Sequence, residues 1–129
     1  MVRERILIVD DEKSILTSLS SILEDERYLT EVAEDGERAL RLLETNGFDL
    51  VLLDIWLPGM DGVETLERIK ESRPDLPVIM ISGHGNIETA VAATKLGAYD
   101  FIEKPLSLDK VILSVQHALR EKRLEDENR

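Results

Sequence analysis

The chain has no cysteine, which excludes disulfides and thiolate metal sites. Its two histidines, His84 and His117, are too few for an ordinary zinc site. No run approaches the roughly 20 apolar residues of a membrane span, and the first residues lack a signal-peptide pattern. The expected location is therefore the cytoplasm, with no membrane partner. The GxxxxGK[ST] pattern is also missing, which excludes a P-loop nucleotide hydrolase. Basic residues are outnumbered, 16 Lys and Arg against 27 Asp and Glu, for a formal charge of -11. Such a field repels phosphate backbones and anionic lipids, so this segment is not expected to contact nucleic acid directly.

What is present is a regular alternation. The length of 129 residues suits one domain with a single core. Strand-like runs fall at residues 5–9, 29–33, 49–53, 77–81 and 99–103. The first, third and fourth are nearly all apolar, the pattern of central parallel strands covered on both faces. The second, Leu29-Thr30-Glu31-Val32-Ala33, is more polar and reads as an edge. Between the strands, Ile15, Leu16, Leu19, Ile22 and Leu23 repeat at helical spacing, as do Leu108, Val111, Ile112, Val115, Ala118 and Leu119. Shorter helices are predicted at 36–45, 62–72 and 86–96. Asp61 with Glu64 resembles a capping box, and Pro74 marks the exit of that helix. Asn86 and Gly97 suit the two ends of the next. Five βα units make an α/β fold, a doubly wound five-stranded parallel sheet in a three-layer sandwich. The expected strand order is 2-1-3-4-5, the flavodoxin-like arrangement. Residues 1–119 form the expected domain. The charged stretch 120–129 is either the end of the last helix or the start of a linker.

The chemistry gathers at strand ends. Asp54 closes the apolar run Leu50-Val51-Leu52-Leu53, and Asp10-Asp11 close Ile6-Leu7-Ile8-Val9. In the expected order strands one and three are neighbours at the topological switch point, so the three carboxylates share one crevice. Ser82 and Lys104, after strands four and five, flank it. Carboxylates about 4 Å apart repel by about 4 kcal/mol per pair at an effective dielectric of 20. A hard divalent cation relieves this, and oxygen-only ligation suits Mg²⁺. One carboxylate can then attack a phosphoryl group and form an acyl phosphate, with the lysine neutralising phosphoryl oxygens.

Val9-Asp10-Asp11-Glu12, Leu53-Asp54 with Pro58-Gly59-Met60-Asp61-Gly62, Ser82-Gly83 and Lys104-Pro105 together resemble a receiver domain of two-component response regulators. Ser82-Gly83-His84-Gly85-Asn86 with Lys95 through Pro105 resembles the NtrC group more narrowly, and NtrX-type regulators most of all. The resemblance implies that Asp54 is the phosphoacceptor, with a sensor histidine kinase as donor. It implies Mg²⁺ held by Asp11 and Asp54, by Asp10 through water, and by the backbone carbonyl of Trp56. Lys104 would contact the phosphoryl oxygens, Ser82 would be the switch hydroxyl, and Phe101 the aromatic that moves with it. Lys104-Pro105 would be a cis peptide. Trp56 and His84 stand two residues beyond Asp54 and Ser82, at positions that influence dephosphorylation in this family. Serine in place of the commoner threonine, and phenylalanine in place of tyrosine, depart from frequent receiver patterns.

Plainer readings exist for each residue taken alone. Asp10 and Asp11 could be turn formers, Ser82 a loop hydroxyl, Lys104 a solvated surface lysine and Phe101 part of the core. His84 could be an ordinary loop residue, and Trp56 could pack over the pocket mouth. The combination is expected to make a phosphorylation-controlled switch, an enzyme only toward its own phosphoryl transfer and dephosphorylation. It would work through homodimers or higher assemblies and an output region that activates transcription. A haloacid-dehalogenase-like phosphatase also uses a strand-end Asp, but needs a second Asp two residues on, where this chain has Trp56. A phosphorylation-independent module with a vestigial pocket is the remaining alternative.

Overall fold

The computed structural model describes residues 3–83 and 87–128. Five strands, β1 (Arg5–Val9), β2 (Leu29–Ala33), β3 (Leu50–Asp54), β4 (Val78–Ser82) and β5 (Asp100–Glu103), alternate with five helices. These are α1 (Lys13–Asp25), α2 (Gly36–Thr45), α3 (Gly62–Ser72), α4 (Ile87–Lys95) and α5 (Leu108–Glu127). All pairings are parallel and the order is β2-β1-β3-β4-β5, as the apolar pattern predicts.

Helices on both faces explain why the central strands carry no polar alternation. Leu7, Val9, Val51, Leu53, Val78 and Met80 point to one side, where Ala39, Leu66, Ile69 and Ala93 cover them. Ile6, Ile8, Leu50, Leu52, Ile79 and Ile81 point to the other, against Leu16, Leu19, Leu23, Val111 and Val115. Every residue of β3 and β4 is buried, whereas the edge strands β2 and β5 are partly exposed.

Local caps fix the helix starts. The side chain of Asp61 accepts from the Glu64 N–H at 2.8 Å. Only this half of the capping box forms, because Glu64 pairs with Arg68 at 3.3 Å. Asp35 accepts from the Arg38 N–H at 2.7 Å and starts α2 in the same way. Gly97 ends α4 with φ +104°, a left-handed conformation suited to glycine. The matching position after α1 holds Arg27 at φ +73°, while the Tyr28 N–H reaches back to the Leu23 carbonyl at 3.0 Å. Asn86, the expected cap of α4, lies outside the described residues.

Two strands sit one residue later than the apolar runs predict, and a third starts one residue later but ends where expected. β3 and β4 extend to include Asp54 and Ser82, and β5 begins at Asp100. Register explains the extension: Asp54 stands beside Ile81, Ser82 beside Glu103, and the Ile55 N–H donates to the Ile81 carbonyl at 3.1 Å. Residues 120–127 continue α5 without a break.

Candidate functional site

The carboxyl ends of β1, β3 and β5 converge on one cleft. Asp10 follows β1; its N–H donates to the Ala33 carbonyl at 3.1 Å, and its Oδ1 accepts from the Glu12 N–H at 2.9 Å. Asp54, the last residue of β3, is 3% exposed, and its Oδ1 accepts from the Trp56 N–H at 3.4 Å. Asp11 is exposed. One carboxylate oxygen from each of Asp10, Asp11 and Asp54 lies within 4.8 Å of the others.

Lys104 enters from the end of β5, where its N–H donates to the Ser82 carbonyl at 2.8 Å and the Lys104–Pro105 peptide is cis. Its ammonium lies 3.0 Å from Asp10 Oδ2, 3.3 Å from Glu12 Oε1 and 3.5 Å from Asp54 Oδ2. The contacts to Glu12 and Asp54 are hydrogen bonds. The shortest contact is an ion pair without hydrogen-bond geometry, so the buried Asp10 Oδ2 has a countercharge but no donor aimed at it.

The electrostatics follow from this crowding. Burial, then the neighbouring Asp10 carboxylate, push the Asp54 carboxyl up to about 6, against the opposing pull of Lys104 and the Trp56 N–H. Burial pulls the Lys104 ammonium down, but Asp10, Asp54 and Glu12 outweigh it and hold the group above its ordinary value. Two buried carboxylates and one exposed one share a single lysine. Oxygen-only donors and an unfavourable pair of buried carboxylates together fit a hard divalent cation.

A cavity of about 180 Å³ opens here, lined by Asp11, Glu12, Asp54, Trp56, Gly83 and Lys104. The Trp56 residue is 60% exposed at its mouth. Ser82 and Phe101 do not line it. Ser82 is buried at the end of β4, and Phe101 is half-buried against the core on the α2–α4 side of the sheet. His84 lies outside the described residues.

Three residues that shape the cleft carry no role in the sequence reading. Gly62 starts α3 beneath Asp54; a Cβ there would overlap the Asp54 carbonyl oxygen and stand 2.6 Å from Ile55 Cα. Its N–H also donates to the Ile55 carbonyl at 2.8 Å. Glu37 reaches from α2 to accept from the Met60 N–H at 3.2 Å, which ties down the loop after β3. Glu12 is the third. A glycine placed directly after a capping Asp was the one sequence signal for the first of these.

Residues 6–116 match the family described as response regulator receiver domain. The chain belongs to that family. Among curated relatives, the nitrogen assimilation regulatory protein NtrX of Azorhizobium caulinodans is 52% identical over 126 residues, covering 96% of this chain and 28% of its own length. The crystal structure of NtrX from Brucella abortus in complex with ADP superposes with a TM-score of 0.92 at 48% identity, over 98% of this chain and 29% of that one. The solution structure of the beryllofluoride-activated NtrC4 receiver domain dimer gives 0.88 at 46% identity, over 92% of this chain and 98% of that one. This receiver therefore spans just over a quarter of the length of the first of these relatives. No helix among its described residues is long and apolar enough to cross a membrane.

Proposed function

We propose that this receiver is a phosphorylation-controlled switch in which Asp54 accepts a phosphoryl group from a sensor histidine kinase. The observation that supports it is the placement of Asp54 at the end of a fully buried strand, with a lysine ammonium 3.5 Å from its carboxylate and two further acids beside it. An Asp54 carboxylate oxygen forms the new bond to phosphorus as the bond from phosphorus to the kinase's imidazole nitrogen breaks. The departing imidazole keeps the electron pair. Asp11, Asp54 and the Trp56 carbonyl would hold Mg²⁺, with Asp10 helping through water, and the bound ion would neutralise charge on the transferring group. Lys104 orients and neutralises phosphoryl oxygens from the other side.

The new phosphate would draw the Ser82 hydroxyl toward it, and Phe101 would move with the loop that follows β4. This biases an existing equilibrium between inactive and active forms rather than creating a new one. Moving it from 1:99 to 99:1 takes about 5.5 kcal/mol of differential interaction. A dianion gaining contacts to Ser82, Lys104 and the metal is of that order. The receiver unit would comprise residues 1–119, and the continuing α5 would lead toward an output region that activates transcription.

Self-association on phosphorylation fits the same reading. The surface from α4 through α5 exposes Ile87 (83%), Val91, Tyr99, Leu108 and Leu113. The similar NtrC4 receiver is described as a dimer in its beryllofluoride-activated form. Incubating the chain with a phosphorylated histidine kinase and Mg²⁺, followed by sedimentation, tests both parts. The expected result is one phosphoryl group per chain, absent in Asp54→Asn and with EDTA, together with stronger association. Equal labelling of wild type and Asp54→Asn would overturn the reading.

A further inference from the structure

Glu12 occupies the N-cap of α1, a position that favours Ser, Thr, Asp or Asn because their short side chains reach the first free N–H groups. Its carboxylate makes no capping bond. It turns instead into the cleft and accepts from Lys104 Nζ at 3.3 Å, across 92 residues of sequence. The backbone of Glu12 is pinned on both sides: its N–H donates to Asp10 Oδ1, and its carbonyl accepts from Ile15 and Leu16. The side chain is therefore a short arm on a fixed pivot. It is 58% exposed, while that of Lys104 is 13% exposed.

Of the three carboxylates around Lys104, Asp10 and Asp54 belong to the cluster suited to a cation, and Glu12 does not. A cation held by Asp10 and Asp54 would cancel much of their attraction for the ammonium. Glu12 would keep its own. It also lines the cavity in which the phosphoryl oxygens would sit.

We infer that Glu12 is a positioning residue that acts as a latch on Lys104, holding the ammonium at the cleft rim in competition with the phosphoryl group. This rests on the reading of Asp54 as phosphoacceptor. In the resting form, Lys104 is shared among Asp10, Glu12 and Asp54. When a phosphoryl group forms on Asp54, its oxygens take the ammonium and Glu12 is released to solvent. The latch therefore weakens the phosphorylated state relative to the resting one.

The test is a double-mutant cycle on the equilibrium binding of beryllofluoride, a phosphoryl mimic, at saturating Mg²⁺. Glu12→Gln should tighten binding about three- to fivefold, the scale of a partly exposed ion pair. In a Lys104→Met background the same change should have less than about a twofold effect. Glu12→Asn should tighten binding too, while raising the melting temperature by supplying the missing cap, so affinity and helix capping are read separately. A similar gain in the Lys104→Met background would show that Glu12 merely repels anions and would overturn the latch. Unchanged affinity in Glu12→Gln, with wild type binding normally, would also overturn it. Failure of the wild type to bind beryllofluoride would instead remove the phosphoacceptor reading, and this inference with it.

Discussion

Replacing Asp54 by Asn should stabilise the metal-free protein, and the gain should depend on pH. The Asp54 carboxyl is raised from 3.8 to about 6 by burial and by Asp10. A carboxyl whose value rises on folding contributes stability that is fully present below the unfolded value. That contribution is lost as pH rises through the folded one. The loss therefore falls mainly between pH 4 and about 6, and the native state above that window carries an ionised Asp54 at a cost. At about 1.4 kcal/mol per pH unit of displacement, the ceiling is about 3 kcal/mol. Solvent at the open side of the cleft screens the pair, so about 1–2 kcal/mol is the realistic size. Asparagine has the same shape and no charge, so Asp54→Asn should recover that amount at pH 8. Thermal and urea unfolding with EDTA, followed by circular dichroism, should place the variant about 3–8 °C above wild type at pH 8. The gap should narrow toward pH 5. Saturating Mg²⁺ should shrink it, because the cation stabilises the native wild type more than the variant. A variant no more stable than wild type at pH 8, or a gap independent of pH, would refute the electrostatic reasoning.

Gly62→Ala should destabilise the fold by about 1–3 kcal/mol, since the added carbon overlaps the backbone beneath Asp54. It should also weaken Mg²⁺ binding about tenfold or more, and an unchanged titration would show that the loop yields freely. Arg27→Gly should stabilise the protein by about 0.5–1 kcal/mol, because glycine adopts the left-handed conformation at φ +73° without a Cβ penalty; a loss measured by urea unfolding would mean that the Arg27 side chain matters more than its backbone. Trp56 fluorescence, with one source in the chain, should change saturably with Mg²⁺ and again with beryllofluoride, and Asp54→Asn should remove the second change. A flat response with binding verified by calorimetry would place the indole outside the influence of the cleft.

The architecture was legible because parallel strands covered on both faces must be apolar throughout. Runs such as Leu50–Leu53 and Val78–Ile81 announce themselves for that reason. The same logic misplaced the strand ends by one residue. Asp54 and Ser82 are polar, so they read as loop, yet the register with Ile81 and Glu103 keeps them in the ladder. The gathering of Asp10, Asp11, Asp54 and Lys104 followed from strand order alone. How charge is divided among them did not: the full burial of Asp10 and the reach of Glu12 to Lys104 depend on tertiary packing. The left-handed Arg27 was equally silent, since an arginine gives no sign of a conformation that glycine prefers. Phe101 shows the limit of residue type as a guide, because a half-buried aromatic on an edge strand suits both a core position and a moving one.

The most direct test of the phosphoryl-transfer chemistry is to trap the acyl phosphate itself. The protein is incubated with Mg²⁺ and a small phosphodonor, reduced with borohydride and mapped by peptide mass spectrometry. Reduction turns an aspartyl phosphate into homoserine at the modified position. The expected result is homoserine at position 54 alone, lost when Mg²⁺ is omitted. Homoserine at position 10 or 11, or an unmodified position 54 in protein that carries phosphate, would contradict the assignment of Asp54.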